Sequence, residues 1–258
     1  MSRWFPDRIT LHLAATDSLA AVGGGEPLRQ RTHELALASL ERRLDELQPA
    51  RHTRVACVFA GDLVRYCLVP WNPSATGARR RHSFAAHCFK EVYGDAAAGW
   101  RVSLDKPRYG EPALACAIDA SLLDRVAALS AKRGLVPQSM QPSLMHATRA
   151  ASRAVQLATV WCVVQEPRTT TLLLVARRRP MLVKVLAARE HDLGVVLARE
   201  WLALGFEAAR CPVVLVSPDL SSLHELNGWH VRVLGGANDP DLHRQPSIEL
   251  FARGLLSA

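Results

Sequence analysis

Ten histidines, six cysteines and 24 carboxylates give this 258-residue chain material for catalysis or metal binding, so spacing decides what they can do. His82 and His87 are five residues apart, a separation that turns two side chains away from each other on a helix and makes them poor joint ligands. His146, His224, His230 and His243 have no partner at short range and read as surface or structural residues. The cysteines, Cys57, Cys67, Cys88, Cys116, Cys162 and Cys211, are widely spaced and form no C-x-x-C. A zinc site needs ligand pairs at short spacing. Cys57, Cys67, Cys116 and Cys162 sit in apolar strand-like runs and read as small buried hydrophobes. The strained G-x-S-x-G elbow of serine hydrolases is missing. Asp239 and Asp241 flank Pro240, where aspartate suits turn geometry. No catalytic constellation emerges, and the expectation is a protein that is not an enzyme.

The charge pattern is more telling. The chain carries 32 basic and 24 acidic side chains, a net charge of +8, and two tight clusters contribute, Arg79-Arg80-Arg81 and Arg177-Arg178-Arg179. Basic patches attract nucleic acid, anionic lipid or acidic proteins. A solvated loop and a helix start account for the same residues without any partner. Neither cluster is interleaved with aromatic residues, as a single-strand nucleic-acid platform is.

Elements that position these residues follow from periodicity. The hydrophobic fraction of 49% and mean hydropathy of +0.03 fit a folded chain. No apolar run approaches the roughly 20 residues that span a bilayer. The start, MSRWFPDRITLHLAATD, has no signal-peptide pattern, so a cytoplasmic location is expected. RITLHLA (8–14) alternates as a strand, and SLAAVGG follows a turn at Thr16-Asp17. Residues 27–47 place Leu28, Leu35, Leu40, Leu44 and Leu47 near one helical face. Residues 53–61 and 62–71 read as strands, 74–94 as a helix stopped by Gly94, and 99–119 as a hairpin turning around Lys106-Pro107 and Gly110. A helix follows, capped near Asp119 or Ser121 and ended by Gly134, and another is expected at 141–156.

The segment TVWCVVQEPRTTTLLLVARRRPMLVKVLAARE (159–190) then reads as a three-stranded meander with turns at Gln165–Arg168 and Ala176–Pro180. A helix (190–206), a strand (211–219), a short helix (220–228), a strand (229–236) and a closing helix (247–258) complete the chain. This is the order of a ribonuclease H-like half, and the first half begins the same way before an insertion of roughly 62–135. The expectation is an α/β fold with two ribonuclease H-like halves, 1–148 and 149–258, and an α+β subdomain inserted in the first.

Two such halves with that insertion resemble the actin-like proteins of type IV pilus and type II secretion assembly, PilM and the cytoplasmic part of GspL. The match runs in order through VACVFAGDLVRYCLVPWNP, HCFKEVYGD, GWRVSL, YGEPALACAIDASLLDRVAALSAKRGLVPQSMQPS and the final FARGLLSA, over nearly the whole chain. Nucleotide-binding actin-like proteins hold phosphates with two Asp-x-Gly turns, because glycine lets backbone amides approach them. Here the first turn should lie in Ala14-Ala15-Thr16-Asp17-Ser18 and the second in Gln165-Glu166-Pro167-Arg168, neither with a glycine. The adenosine turn should lie at Ser217-Pro218-Asp219, since Gly235-Gly236 falls one element too late.

The resemblance therefore implies a pseudo-ATPase adaptor with no cofactor, peripheral at the inner membrane through its partners. Those partners would be a PilN-like or GspM-like platform tail, a pilus or secretion motor ATPase and, as a further candidate, an anionic membrane surface; nucleic acid is not expected. It further implies a groove for the partner's tail bordered by the strand Leu63–Pro70 and the next helix, with Arg65, Tyr66, Trp71 and Arg80 as contacts. Arg79, Arg80 and Arg81, at a helix start where positive charge is unfavourable, are expected to meet an anionic partner. The turn arginines Arg177–Arg179 are expected to carry no such penalty. A nucleotide-binding member of the same fold and a basic nucleic-acid-binding module are the competing readings.

Overall fold

A computed structural model describes residues 8–14, 26–106, 108–154, 159–187, 192–206, 211–217, 226 and 228–234, which group into two compact units divided between Pro142 and Ser143. The expected strand at 18–24, most of the short helix at 220–228 and the closing helix lie outside the described residues.

The first unit contains two sheets. One is parallel, in the order β1 (Arg8–Leu13), β2 (Arg54–Phe59), β6 (Val136–Pro142). Its middle strand is buried from Val55 to Phe59, as a strand covered on both faces must be. Helix α1 (Glu26–Leu47) buries Ala36, Leu37, Leu40 and Leu44. The expected stripe is therefore corrected at its end: Leu47, the helix's last residue, is 45% exposed.

The strand β6 is a second correction, because VPQSMQP shows neither alternation nor an apolar run. It takes Gln141 and Pro142, assigned above to a helix, and helix α4 (Ser143–Ala154) begins only after them. Among the described strands β6 is an edge with a bulge at Val55/Ala56, positions where proline's missing N–H is tolerated.

The second sheet of this unit is antiparallel, β3 (Val64–Val69), β5 (Ala113–Asp119), β4 (Trp100–Leu104), and forms between β2 and β6 in sequence. Helix α2 (Ala78–Tyr93) lays Ala85 and Phe89 on Val69, Val102, Ala115 and Ala117, with Trp100 edge-on to Phe89 at 6.3 Å. A short 3-10 turn (Gly94–Gly99) leads into β4. Helix α3 (Ala120–Lys132) starts at Asp119, whose carboxylate accepts from Ser121 N at 2.8 Å. It ends at Gly134, φ 68°, with Gly134 N donating to Ala131 O and Leu135 N to Ser130 O, a Schellman motif. Bidentate Arg125–Glu34 and single Arg133–Asp45 ion pairs join α3 to α1.

The second unit is one mixed sheet in the order β11 (Val231–Leu234), β10 (Val213–Val216), β7 (Thr159–Gln165), β8 (Thr169–Ala176), β9 (Arg179–Ala187). The β7–β8–β9 meander is antiparallel, and β10 and β11 add in parallel, as a ribonuclease H-like half requires. Helix α5 (Leu193–Ala203) covers one face with Leu193, Val196, Leu197 and Trp201 against Trp161, Val163, Leu172, Leu174, Val213 and Leu215. Asp192 caps it, accepting from Val195 N at 3.0 Å. Glu200 bonds Lys184 of β9 at 3.0 Å, and Lys184 first, then Arg199, holds its carboxyl below the usual range.

The β8–β9 turn overturns one expectation. Strands pair up to Ala176 and Arg179, so Arg179 and Pro180 belong to β9 and only two residues turn. Those two, Arg177 and Arg178, have φ of 51° and 64°, the left-handed pair of a type I′ turn. Such positions favour Asn-Gly, and arginine there is strained by roughly 1 kcal/mol or more per residue. This cost is conformational and separate from the helix-start electrostatic penalty that these arginines were expected to lack. Pro180 is tolerated because it lies opposite Val175, next to the turn's hydrogen-bonded pair, on a strand that is an edge among the described residues. The double variant Arg177→Asn/Arg178→Gly is expected to gain about 1 to 2 kcal/mol in urea unfolding; an unchanged or lower midpoint would show that the strain is offset elsewhere.

Candidate functional site

Two places answer to the expected chemistry, the phosphate turns and the margin of the inserted sheet. Of the first phosphate turn only Ala14 is described, and of the adenosine turn only Ser217; the rest of both, and Gly235-Gly236, lie outside the described residues. The second turn is complete. Glu166 N donates to Thr169 O at 2.8 Å, and Thr169 Oγ1 donates to Glu166 Oε2 at 3.2 Å. Pro167 and Arg168 fill the two turn positions, neither with positive φ. One amide of the turn is thus spent on the hairpin, a second is missing, and a carboxylate lies beside them. This is a tight β-hairpin, not a glycine cradle for phosphate.

Titratable side chains elsewhere are dispersed. Burial pushes the thiols of Cys57, Cys116 and Cys162 up to about 12 and that of Cys211 to about 11, which leaves them protonated and inert. Cys67 and Cys88 are raised too, by burial first. His87 Nε2 lies 3.8 Å from Glu91 Oε1 on the surface of α2, and His82 is exposed. His146 is half-buried and His230 exposed, while His224, His243, Asp239 and Asp241 lie outside the described residues. No three His, Cys, Asp or Glu side chains among the described residues could hold a metal ion.

The margin of the β3–β5–β4 sheet is built by a short loop. Asn72 accepts from Ser74 N through Oδ1 at 2.9 Å and from Ala75 N through its carbonyl at 3.1 Å, so Trp71-Asn72-Pro73-Ser74 folds back at the end of β3. Gly77, φ 82°, then admits α2. Beneath the loop lies a shallow, solvent-open groove lined by Val69, Trp71, Arg81, Phe84, Leu104 and Glu111 among others. Tyr109, on the β4–β5 loop and 88% exposed, packs its ring 5.0 Å from that of Trp71.

The structure brings Trp71 and Arg81 into this groove and leaves Arg65 and Tyr66 out of its lining. Arg65 is half-buried and folds onto its own chain, donating to Asp62 O at 3.1 Å and Val64 O at 2.9 Å. Tyr66 is only 8% exposed and belongs to the packing of β3. Arg79 and Arg80 are exposed on the first turn of α2. Sequence reasoning missed Tyr109, Phe84, Leu104 and Glu111. For Tyr109 and Glu111 the signal is the pairing of Val69 with Ala113, which sets residues just after β3 beside those just before β5.

No protein-family model matches the chain, and no curated protein matches it by sequence. Solved structures do. The cytoplasmic domain of EpsL, an inner-membrane component of the type II secretion system of Vibrio cholerae, superposes with a TM-score of 0.52 at 14% identity over 82% of this chain and 78% of that one. The PilM–PilN type IV pilus biogenesis complex gives 0.51 at 15% over 88% and 81%. A Bacteroides thetaiotaomicron protein of unknown function with an actin-like ATPase fold gives 0.52 at 12% over 88% and 90%. The fold is actin-like.

Within this actin-like fold the start of α2 is electrostatically unusual. It has no acidic residue in its first turn and no side-chain cap, yet Arg79, Arg80 and Arg81 occupy that turn and the residue after it. The helix dipole puts a partial positive charge at the same place. Arg79→Glu/Arg80→Glu is therefore expected to raise stability by a few tenths to about 1 kcal/mol per site at low salt, an increment that fades with added salt. A lower melting temperature for the variant at low salt would contradict this electrostatic account.

Proposed function

We propose that this chain is a non-hydrolysing, actin-like adaptor of an inner-membrane assembly platform, of the kind that serves type IV pili or type II secretion. The β7–β8 hairpin carries the reading: where an actin-like ATPase needs glycine amides, this chain has Glu166-Pro167-Arg168, closed by its own hydrogen bonds. The likeness to EpsL and to PilM in complex with PilN supports a platform setting. In that setting the partners are a PilN-like or GspM-like cytoplasmic tail and a motor ATPase, with anionic lipid as a further contact of the basic surface. No helix among the described residues is long and apolar enough to cross a membrane, and the proposed location is the cytoplasmic side of the inner membrane, through those partners.

The decisive experiment is a nucleotide titration. Mg-ATP to millimolar concentration is expected to leave the melting temperature unchanged, because a ligand that binds only the native state must raise it. A saturable rise would replace the adaptor with a nucleotide-binding protein.

Charge gives a second test. Reversing Arg79–Arg81 to Glu is expected to weaken association with the motor, the platform tail or anionic vesicles more than reversing Arg177–Arg179, and the association rate is expected to fall with salt. Equal binding by both variants across a salt series would remove the charge argument and leave the nucleotide result standing.

A further inference from the structure

Aromatic contacts fix how α2 lies on the β3–β5–β4 sheet. Phe89 and Tyr93 stand against Trp100 of β4, with ring centroids 6.3 and 5.1 Å away. Phe84 stands over the opposite edge, where it meets Val69 at the end of β3. Cys88 is four residues beyond Phe84 and so lies on the same side of the helix, one turn on. Cys67 is two residues before Val69 and shares its face of the sheet, the face that α2 covers through Val69, Ala115 and Ala117. The helix begins beside the end of β3 and finishes beside Trp100, the first residue of the parallel-running β4, so α2 and β3 run in opposite directions. From Phe84 to Cys88 the helix advances about 6 Å, and from Val69 back to Cys67 the strand retreats about 7 Å. The two steps bring Cys88 over Cys67.

Both cysteines are half-buried and pack against the same cluster of Val69, Ala85, Phe89 and Ala115. Cys67 pairs across the strands with Ala115, and alanine there lets the helix lie close, which shortens the gap two cysteine side chains must bridge. Their nearness is felt chemically: after burial, Cys88 is the next cause that raises the Cys67 thiol. Cys116 is buried on the other face of β5, opposite Tyr66 and Ser103.

We propose that Cys67 and Cys88 form a reversible disulfide that clamps α2 to β3, a redox-modified site in the inserted sheet. The oxidant is a small disulfide of the glutathione class. One protein thiolate attacks it, forming a mixed disulfide and releasing a glutathione thiolate. The second protein thiolate attacks the protein sulfur of that mixed disulfide and releases the other. In sum, two protein thiols are oxidised to one disulfide, and one glutathione disulfide is reduced to two thiols that take up the two protons. Excess reduced glutathione reverses both steps. In a reducing compartment such a pair reports the thiol poise instead of stapling the fold. Closed, the bridge holds α2 to the sheet about two turns after Arg81. The clamp goes beyond the adaptor reading, and neither depends on the other.

The test equilibrates the full chain with oxidised glutathione at mildly alkaline pH, where raised thiols ionise faster. Remaining thiols are alkylated after unfolding, and tryptic peptides are mapped by mass spectrometry. The intact chain is expected to lose two hydrogens, and peptide 66–79 is expected to be joined to peptide 82–90, with Cys57, Cys116, Cys162 and Cys211 alkylated. The melting temperature is expected to rise by several degrees and to return with dithiothreitol. Cys67→Ser and Cys88→Ser are each expected to abolish the cross-link and the shift, so that one variant serves if the other unfolds. Six alkylated thiols, glutathione left unresolved on Cys67 or Cys88, or a bridge between two copies of the chain would overturn the pairing. A bridge that leaves the melting temperature unchanged would overturn the clamp. None of these outcomes alters the nucleotide titration.

Discussion

Two alanines on one strand help to decide where the charged end of a helix lies. On β5, Ala113, Ala115 and Ala117 are all buried, and Ala115 and Ala117 pack directly with α2. Side chains that small let the helix come close enough to bury Phe89 and Ala85 completely. Once α2 is seated, its first turn has nowhere to go but beside the end of β3, and Arg81 must share a groove with Trp71. Replacing either packing alanine with a larger side chain would lift the helix and open the groove from beneath, an overpacking effect felt far from the substitution. The antiparallel register does the rest: pairing Val69 with Ala113 sets Trp71 against the loop that bears Tyr109 and Glu111.

Much of this was legible in the sequence, and what was not has physical causes. The meander, α3 with its Asp119 cap and Gly134 stop, and the 99–119 hairpin follow from local chemistry that acts within a few residues. Strand β6 does not. VPQSMQP has no apolar period, and it becomes a strand because β2 offers an open parallel ladder after the inserted sheet is complete. Tertiary pairing overrides propensity there. Of the groove contacts named from sequence only Trp71 lines the groove; Arg80 gives its place to its neighbour Arg81, Arg65 folds onto its own chain, and Tyr66 is packed away, because β3's alternation does not say which of its faces is covered. Tyr109 was invisible for the opposite reason: its place is fixed by a partner 38 residues earlier in the chain, through strand register.

The two arginine clusters bear different kinds of cost. At α2 the cost is electrostatic, spread over a helix start without acid or cap, and salt can relieve it. At the β8–β9 turn it is conformational, stored in the left-handed backbone of Arg177 and Arg178, and no solvent condition removes it. The first kind can be cancelled by an anion that approaches from outside. The second cannot, so only the first makes the free protein gain directly, in its own fold, from binding a negatively charged partner.

The meander's two hairpins sharpen this contrast. At Gln165–Arg168 the chain uses Pro167 and a side-chain bond from Thr169 to Glu166, choices that restrict the unfolded chain and tighten the folded turn. Such residues stabilise the hairpin, since glycine there would only add unfolded-state entropy. One strand later the residue choice runs the other way. Arg177 and Arg178 hold positions where Asn-Gly relieves the strain without disturbing a single ladder bond of β8 or β9. Stability accounts for the first hairpin and argues against the second, and nothing in the structure explains why Arg177 and Arg178 hold these two positions.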